Sequence, residues 1–296
     1  MRRLIVNADD FGWSEAVTSG ILKGHREGVI TSTTLMTNLP GAAEALDRAR
    51  REAPGLAIGV HLNLTEGRPL APREEVADLL DAAGRLPASL PALFAKMRNS
   101  AAARAAAEKE LEAQLGWARD RGLEPSHVDS HKHVHLYPRL LPIVLAVARR
   151  HGVKAIRTTT EIRLPGLAAI LPPTWGTVAR IRQRLLAMVG RRWGLRGQNE
   201  VRQAGLATTD WFFGIRATGG VSADLILHLL RHAPAGTGEL MVHPGLPDVK
   251  PQRAGRLDES RPLELAAVCD PRVRRIADQE GWTWASYKDL NHDQAA

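Results

Sequence analysis

Residues Ser126 to Leu136 read SHVDSHKHVHL and hold four of the chain's 11 histidines together with Asp129. Alternate side chains of an extended strand share one face, so His131, His133 and His135 are expected to line one wall. Packing does not call for three imidazoles there, whereas metal binding does: neutral imidazole is the commonest protein metal ligand, and short His-rich tracts point to metals. Two other segments have the same form. Leu4 to Gly12, LIVNADDFG, is an apolar run that meets two adjacent carboxylates and a glycine, and Gly59 to Thr65, GVHLNLT, carries His61. Three strand-like segments that each end in ligand chemistry predict one metal-dependent site.

Between these segments strands and helices alternate. Strands are expected at Leu4–Ala8, Ile30–Met36, Leu56–Leu64, Val153–Arg157, Gly238–Val242 and Trp282–Ser286, and a strand plus loop over Ser126–Val134. Helices are expected from Ser14, a residue suited to an N-cap, toward Gly28, and over Gly41–Glu52, Ala101–Arg121, Arg139–His151, Leu225–Arg231 and Leu263–Glu280. The proline-rich residues 66–100 read as a long excursion, and 160–206 as an insertion. Such alternation predicts a parallel sheet or βα barrel, in which functional groups gather at strand carboxyl ends. Asp9, Asp10, His61, the histidine cluster, Arg157 and His243 all fall at such ends.

The 296 residues suffice for one large α/β domain, expected to span 1–296. Hydrophobic content of 44% and charged content of 24% lie in the ordinary globular range. No long apolar run predicts a transmembrane helix, and the apolar start is too short for a signal peptide. One cysteine, Cys269, precludes an internal disulfide and fits a reducing compartment. The expected location is therefore the cytoplasm, and no nucleic-acid partner is expected. A net charge of +8 is mostly arginine. It is concentrated between Trp175 and Arg196, where Val178, Ile181, Leu185 and Met188 recur at helical spacing beside Arg180, Arg182, Arg184, Arg191 and Arg192. This basic amphipathic helix has two open readings: peripheral contact with a membrane, or an apolar stripe packed on the core. A homodimer is a further open expectation.

The motifs NADDFG (Asn7–Gly12), TSTTLM (Thr31–Met36), GVHLNLTEGRPL (Gly59–Leu70), HVDSHKHVHLYP (His127–Pro138), AIR (Ala155–Arg157), WFFG (Trp211–Gly214) and ELMVHPG (Glu239–Gly245) occur in order along the chain. In them the sequence resembles the YdjC-like carbohydrate deacetylases. The resemblance implies a single-domain, deformed (β/α) barrel related to polysaccharide deacetylases, with a helical insertion. It also implies one divalent metal, magnesium or zinc, and removal of an acetyl group from an N-acetylated amino sugar, as oligosaccharide or lipid-linked glycoside. Carried residue by residue, it makes Asp10, His61 and His131 the metal ligands, Asp9 the catalytic base and His243 the general acid.

The chemistry of amide hydrolysis agrees: it needs an activated water, a Lewis acid and a proton for the leaving amine, and one carboxylate with two imidazoles leaves metal positions open. Asp9 and Asp10 would point to opposite sides of a regular strand, so a turn is needed for both to serve one site. Spacing leaves His133 and His135 open as groups orienting the ligands, substrate contacts or structural residues. Asp129 is expected to hold His243 or another imidazole in one tautomer, and Arg157 to pair with Asp9, either to orient it or as a plain ion pair. Trp13, just past the Asp pair, is the tryptophan best placed to stack on a sugar. Two rivals are a metal-dependent phosphoesterase, which normally wants two metals, and a non-catalytic carbohydrate-binding protein.

Overall fold

The computed structural model describes residues 1–172, 176–248 and 256–290; Trp175, with which the basic segment opens, and His292 lie outside them. Strand β1 (Arg2–Phe11) is buried from Leu4 onward. Such a continuous run marks a strand covered on both faces, as in parallel sheets. Its alternation sorts two environments: Leu4, Val6 and Ala8 join the core beneath the helices, while Ile5 packs with Ala155, Ala207, Ala285 and Tyr287 on the inner side. Asn7 and Asp9 follow Ile5 on that inner face.

Helix α1 (Glu15–Glu27) starts where the Ser14 side chain accepts from Val17 N, an N-cap of the expected kind. Strand β2 (Ser32–Leu35), helix α2 (Ala42–Glu52) and strand β3 (Ala57–Leu62) follow in the order expected. The excursion over 66–100 ends in a helix, α3 (Leu90–Asn99), separated by the Ser100 cap from α4 (Ala101–Asp120). Strand β4 covers only Val128–Ser130 and gives way to a 3-10 turn over His131–Leu136, followed by α5 (Leu141–Arg150). The insertion contributes α6 (Leu167–Ile170) and the long α7 (Thr177–Gln203). Strand β5 (Trp211–Phe213), α8 (Ala223–His232) and β6 (Gly236–Val242) come next. The single helix expected over Leu263–Glu280 is instead two, α9 (Arg256–Val268) and α10 (Pro271–Gln279). Pro271 explains the break, since it disfavours helix in the residue before it and suits a first turn; Asp270 caps α10 by accepting from Arg272 N at 2.8 Å. Strand β7 (Thr283–Ala285) and α11 (Tyr287–Leu290) end the described chain.

All pairings are parallel, in the order β4-β3-β2-β1-β6-β5, with β7 also on β1. The sheet curls toward a barrel with helices around it. The strand expected at Val153–Arg157 is reduced to single bridges, Val128 with Ile156 and Ala155 with Ala207, and a third bridge joins Glu161 to Phe212 of β5. These bridges span the gap between the edge strands β4 and β5. Regular pairing ends there because Arg157 is drawn, fully buried, into a cluster of carboxylates.

Candidate active site

The backbone of β1 explains how two adjacent aspartates reach one place. The register with β2 shifts between Ala8 and Phe11, and Asp10 has φ 69°. This inserted residue in the left-handed region, which Asp tolerates better than most side chains, returns Phe11 to the helix-facing core. Asp9 and Asp10 are thereby freed from strict alternation.

Asp9 faces Arg157, whose Nη1 and Nη2 donate to its two oxygens at 2.7 Å each; Asn7 Nδ2 donates to Asp9 Oδ1 at 2.9 Å. The same guanidinium meets Asp129 Oδ2 at 2.5 Å and donates from Nε to Glu239 Oε1 at 2.8 Å. Tyr287 Oη donates to the other oxygen of Glu239. Burial alone would raise the pKa of Asp9, but the guanidinium outweighs it and keeps the carboxyl below its ordinary value. Glu239 shows the opposite balance: burial pushes it up to about 7 despite Arg157.

Asp10, His61 and His131 bring ligand atoms within 4.8 Å of one another. Asp10 Oδ1 lies 3.7 Å from His61 Nε2 and 3.3 Å from His131 Nδ1, yet this buried oxygen accepts no well-directed hydrogen bond. Its partner Oδ2 accepts from Arg261 Nη2 at 2.8 Å. Against the cost of burial, the His131 ring and Arg261 hold Asp10 well below the usual carboxylate range. His61 is fixed at its other nitrogen, with Nδ1 2.7 Å from Asp129 Oδ1 and 3.1 Å from Thr34 Oγ1, so Nε2 is turned toward Asp10. Burial opposes charge on His61, but Asp129, Asp9 and Asp10 raise its pKa to about 9, the mark of a strongly negative pocket. Burial lowers the pKa of His131, which favours its neutral form. An ionised carboxylate oxygen without a partner, between two imidazoles, fits a divalent cation. A second group, Asp9, His61 and Asp129, is already neutralised by Arg157.

The expected wall of three histidines is not present. His131 to Leu136 is a tight turn with positive φ at Lys132 (57°) and His133 (55°), so the alternation that would align the rings is lost. His135 explains the turn, for its backbone N donates to Ser130 Oγ at 2.9 Å while its ring contacts Ser130 Oγ at 2.7 Å and Arg157 O at 3.0 Å. His133 packs edge-on to Phe212, and burial takes its pKa down to about 3. His127 stacks on Tyr287 at 3.6 Å. Asp129 holds His61 rather than His243. Trp13 stacks on the His131 ring, centroids 5.8 Å apart. His243 is buried, its backbone N donates to Glu264 Oε2, its Nδ1 has no partner, and its ring bears electrostatically on Asp10.

Sequence reasoning missed Arg261, Glu239, Tyr287, Thr34 and Glu66. Glu66 lies 3.9 Å from His131 Nε2 and 3.0 Å from Lys132 Nζ. Glu239 and Thr34 stand inside quoted motifs, but nothing local distinguishes Arg261 from other helical arginines.

Fold and site together define an α/β protein with a cluster of acid and imidazole side chains at the carboxyl rim of a curled parallel sheet. A family described as YdjC-like protein matches residues 3–279, and the chain belongs to that family. A relative from Geobacillus stearothermophilus named carbohydrate deacetylase is 32% identical, covering 98% of each chain. One from Mus musculus with the same name is 32% identical over 98% of this chain and 95% of its own. Among solved structures, a protein of Enterococcus faecalis V583 described for cellobiose-phosphate cleavage superposes with TM-score 0.77 and 29% identity over 98% of both chains.

Proposed function

We propose that this chain is a metal-dependent carbohydrate deacetylase that hydrolyses the acetamide of an N-acetylated amino sugar. The observation that carries the reading is the unpartnered Oδ1 of buried Asp10 beside His61 and His131, one bond away in sequence from an ionised Asp9. The names of the full-length relatives support the same activity.

Asp10, His61 and His131 would hold the cation, which supplies a Lewis acid for the acetamide carbonyl and lowers the pKa of water from about 15.7 toward about 7. Asp9 takes a proton from water as its oxygen adds to the carbonyl carbon. Arg157 keeps Asp9 ionised and fixes its plane through the two-pronged contact. His243 delivers a proton to the amine as the C–N bond breaks, leaving acetate and a free amino sugar. Trp13, leaning on His131, offers a flat apolar surface to the sugar ring.

A two-metal phosphoesterase suits the site less well. Its second cation would have to use Asp9, His61 and Asp129, where Arg157 already provides the positive charge. The deciding experiment follows acetate release from N-acetylated amino sugars with and without chelator, alongside phosphate release from sugar phosphates. Chelator-sensitive acetate release is expected; its absence across amino-sugar substrates, or phosphate release instead, overturns the proposal.

A further inference from the structure

The basic helix α7 does not bury the stripe that its sequence suggests. At about 100° per residue, its buried positions Gln183, Ala187, Gly190, Gly194, Gly197 and Val201 fall within one sector of about 80°. The small residues explain the choice. A Cβ at Gly194 would lie 2.3 Å from the Thr159 backbone and one at Gly190 2.6 Å from Ile215, so only these positions permit the observed close approach. Val178, Ile181, Leu185, Leu186, Met188 and Val189 are left 41 to 81% exposed. Their mean direction is about 150° from the buried sector. Among the described residues they account for most of the exposed large apolar side chains, which is more than scattered surface residues explain.

We infer that this face of α7 docks on the surface of an anionic lipid bilayer. Exposed Arg182, Arg184, Arg191, Arg192 and Arg196 border and interleave the apolar residues, and the only acidic residue of the helix is Glu200, paired with Arg196. An anionic bilayer matches both halves of this pattern: headgroups answer the arginines and the acyl boundary takes the aliphatic side chains. A second copy of the same face would set arginine against arginine with no acid to separate them. A nucleic acid would leave the aliphatic residues facing water, and Trp193, the helix's described aromatic, is engaged with Phe94 and Tyr137. No helix among the described residues is long and apolar enough to cross a membrane, so the contact lies in the interface plane. Because Gly197 packs on Leu136, at the end of the turn that begins with His131, docking sets that end of the turn about one helix diameter, ~10 Å, from the lipid.

The test is co-sedimentation of the full chain with phosphatidylcholine vesicles, with and without phosphatidylserine as about one third of the lipid, at low and high salt. Binding is expected only with phosphatidylserine and should weaken with salt. Arg184→Gln with Arg192→Gln should weaken it about 25-fold, about five-fold for each arginine. Leu185→Gln with Met188→Gln should abolish it, with melting temperatures unchanged because all four side chains are exposed. Failure to sediment with anionic vesicles at low salt overturns the inference, as does binding that survives both double substitutions. Concentration-dependent dimerisation without lipid, lost in the Leu185→Gln/Met188→Gln protein, overturns it in favour of self-association.

Discussion

Replacing Arg157 by methionine tests how the inner face of the sheet is held together. The guanidinium is fully buried and neutralises Asp9, Asp129 and Glu239 at 2.5 to 2.8 Å. Methionine fills much of the volume but leaves buried Asp9 and Glu239 without a cation and Asp129 with only the His61 ring. Removing one partner of a buried ion pair costs about 3–5 kcal/mol, a large part of the 5–15 kcal/mol typical of a folded domain. The corresponding fall in melting temperature is about 6–20 °C. The deficit should also depend on pH. In the native protein Asp9 and Asp129 have depressed pKa values, so they contribute stability above their unfolded values, lost only as pH falls through the folded ones. Glu239, raised to about 7, instead loses stability as pH rises from its ordinary value toward 7. Without Arg157, Asp9 and Glu239 are buried with no cation and their folded pKa values rise, so both follow Glu239's pattern, while Asp129 keeps the His61 ring. The deficit should therefore be smaller at pH 5 than at pH 8. Thermal melts by circular dichroism, in chelator and at both pH values, measure it. A deficit below about 1 kcal/mol, or one equal at the two pH values, would refute the reasoning.

His61→Ala should lose the bound metal, measured by elemental analysis after metal loading; full occupancy would remove His61 from the ligand set. Asp9→Asn should retain metal but lose about 10²–10⁴-fold in kcat, the range of general-base contributions, and near-normal turnover would make Asp9 structural. His243→Gln should slow acetamide hydrolysis by a similar factor while sparing 4-nitrophenyl acetate, whose leaving group departs without a proton. Equal losses on both substrates would argue against His243 as proton donor.

Most of the strands and the strand-end location of Asp9, Asp10, His61 and His243 were legible because buried parallel strands read as apolar runs that polar residues terminate; the short β5 was not. The turn over His131–Leu136 was not. Its shape depends on Ser130 Oγ and Arg157 O capturing His135, and neither lysine nor histidine announces positive φ at 132 and 133. Arg261 was illegible for another reason, since it meets Asp10 across 251 residues, and only the pairing of β6 with β1 and the packing of α9 on α1 bring them together. In α7 the amphipathic period was legible, but two readings of its apolar stripe stayed open. The structure does not pack the stripe on the core, because backbone proximity at Gly190 and Gly194 decided the orientation.

In the Asp9–Asp10 pair one backbone irregularity gives two identical side chains different surroundings, which suit the different tasks proposed for them. A regular strand would send Asp10 into the apolar layer beneath the helices, where an unpaired carboxylate is costly. With the inserted residue at φ 69°, Asp9 remains inside against Arg157 and Asp10 turns to His61, His131 and Arg261. The electrostatics then differ although the residues do not. Asp9 has both oxygens bound by one guanidinium, whereas Asp10 keeps Oδ1 without a partner and gives only Oδ2 to Arg261. A carboxylate with an oxygen in reserve beside two ring nitrogens is suited to hold a cation. One fixed in plane and kept ionised is suited to accept a proton. That division comes from the bulge, so a change that restored regular β1–β2 pairing should abolish both proposed roles at once while leaving both aspartates in the sequence.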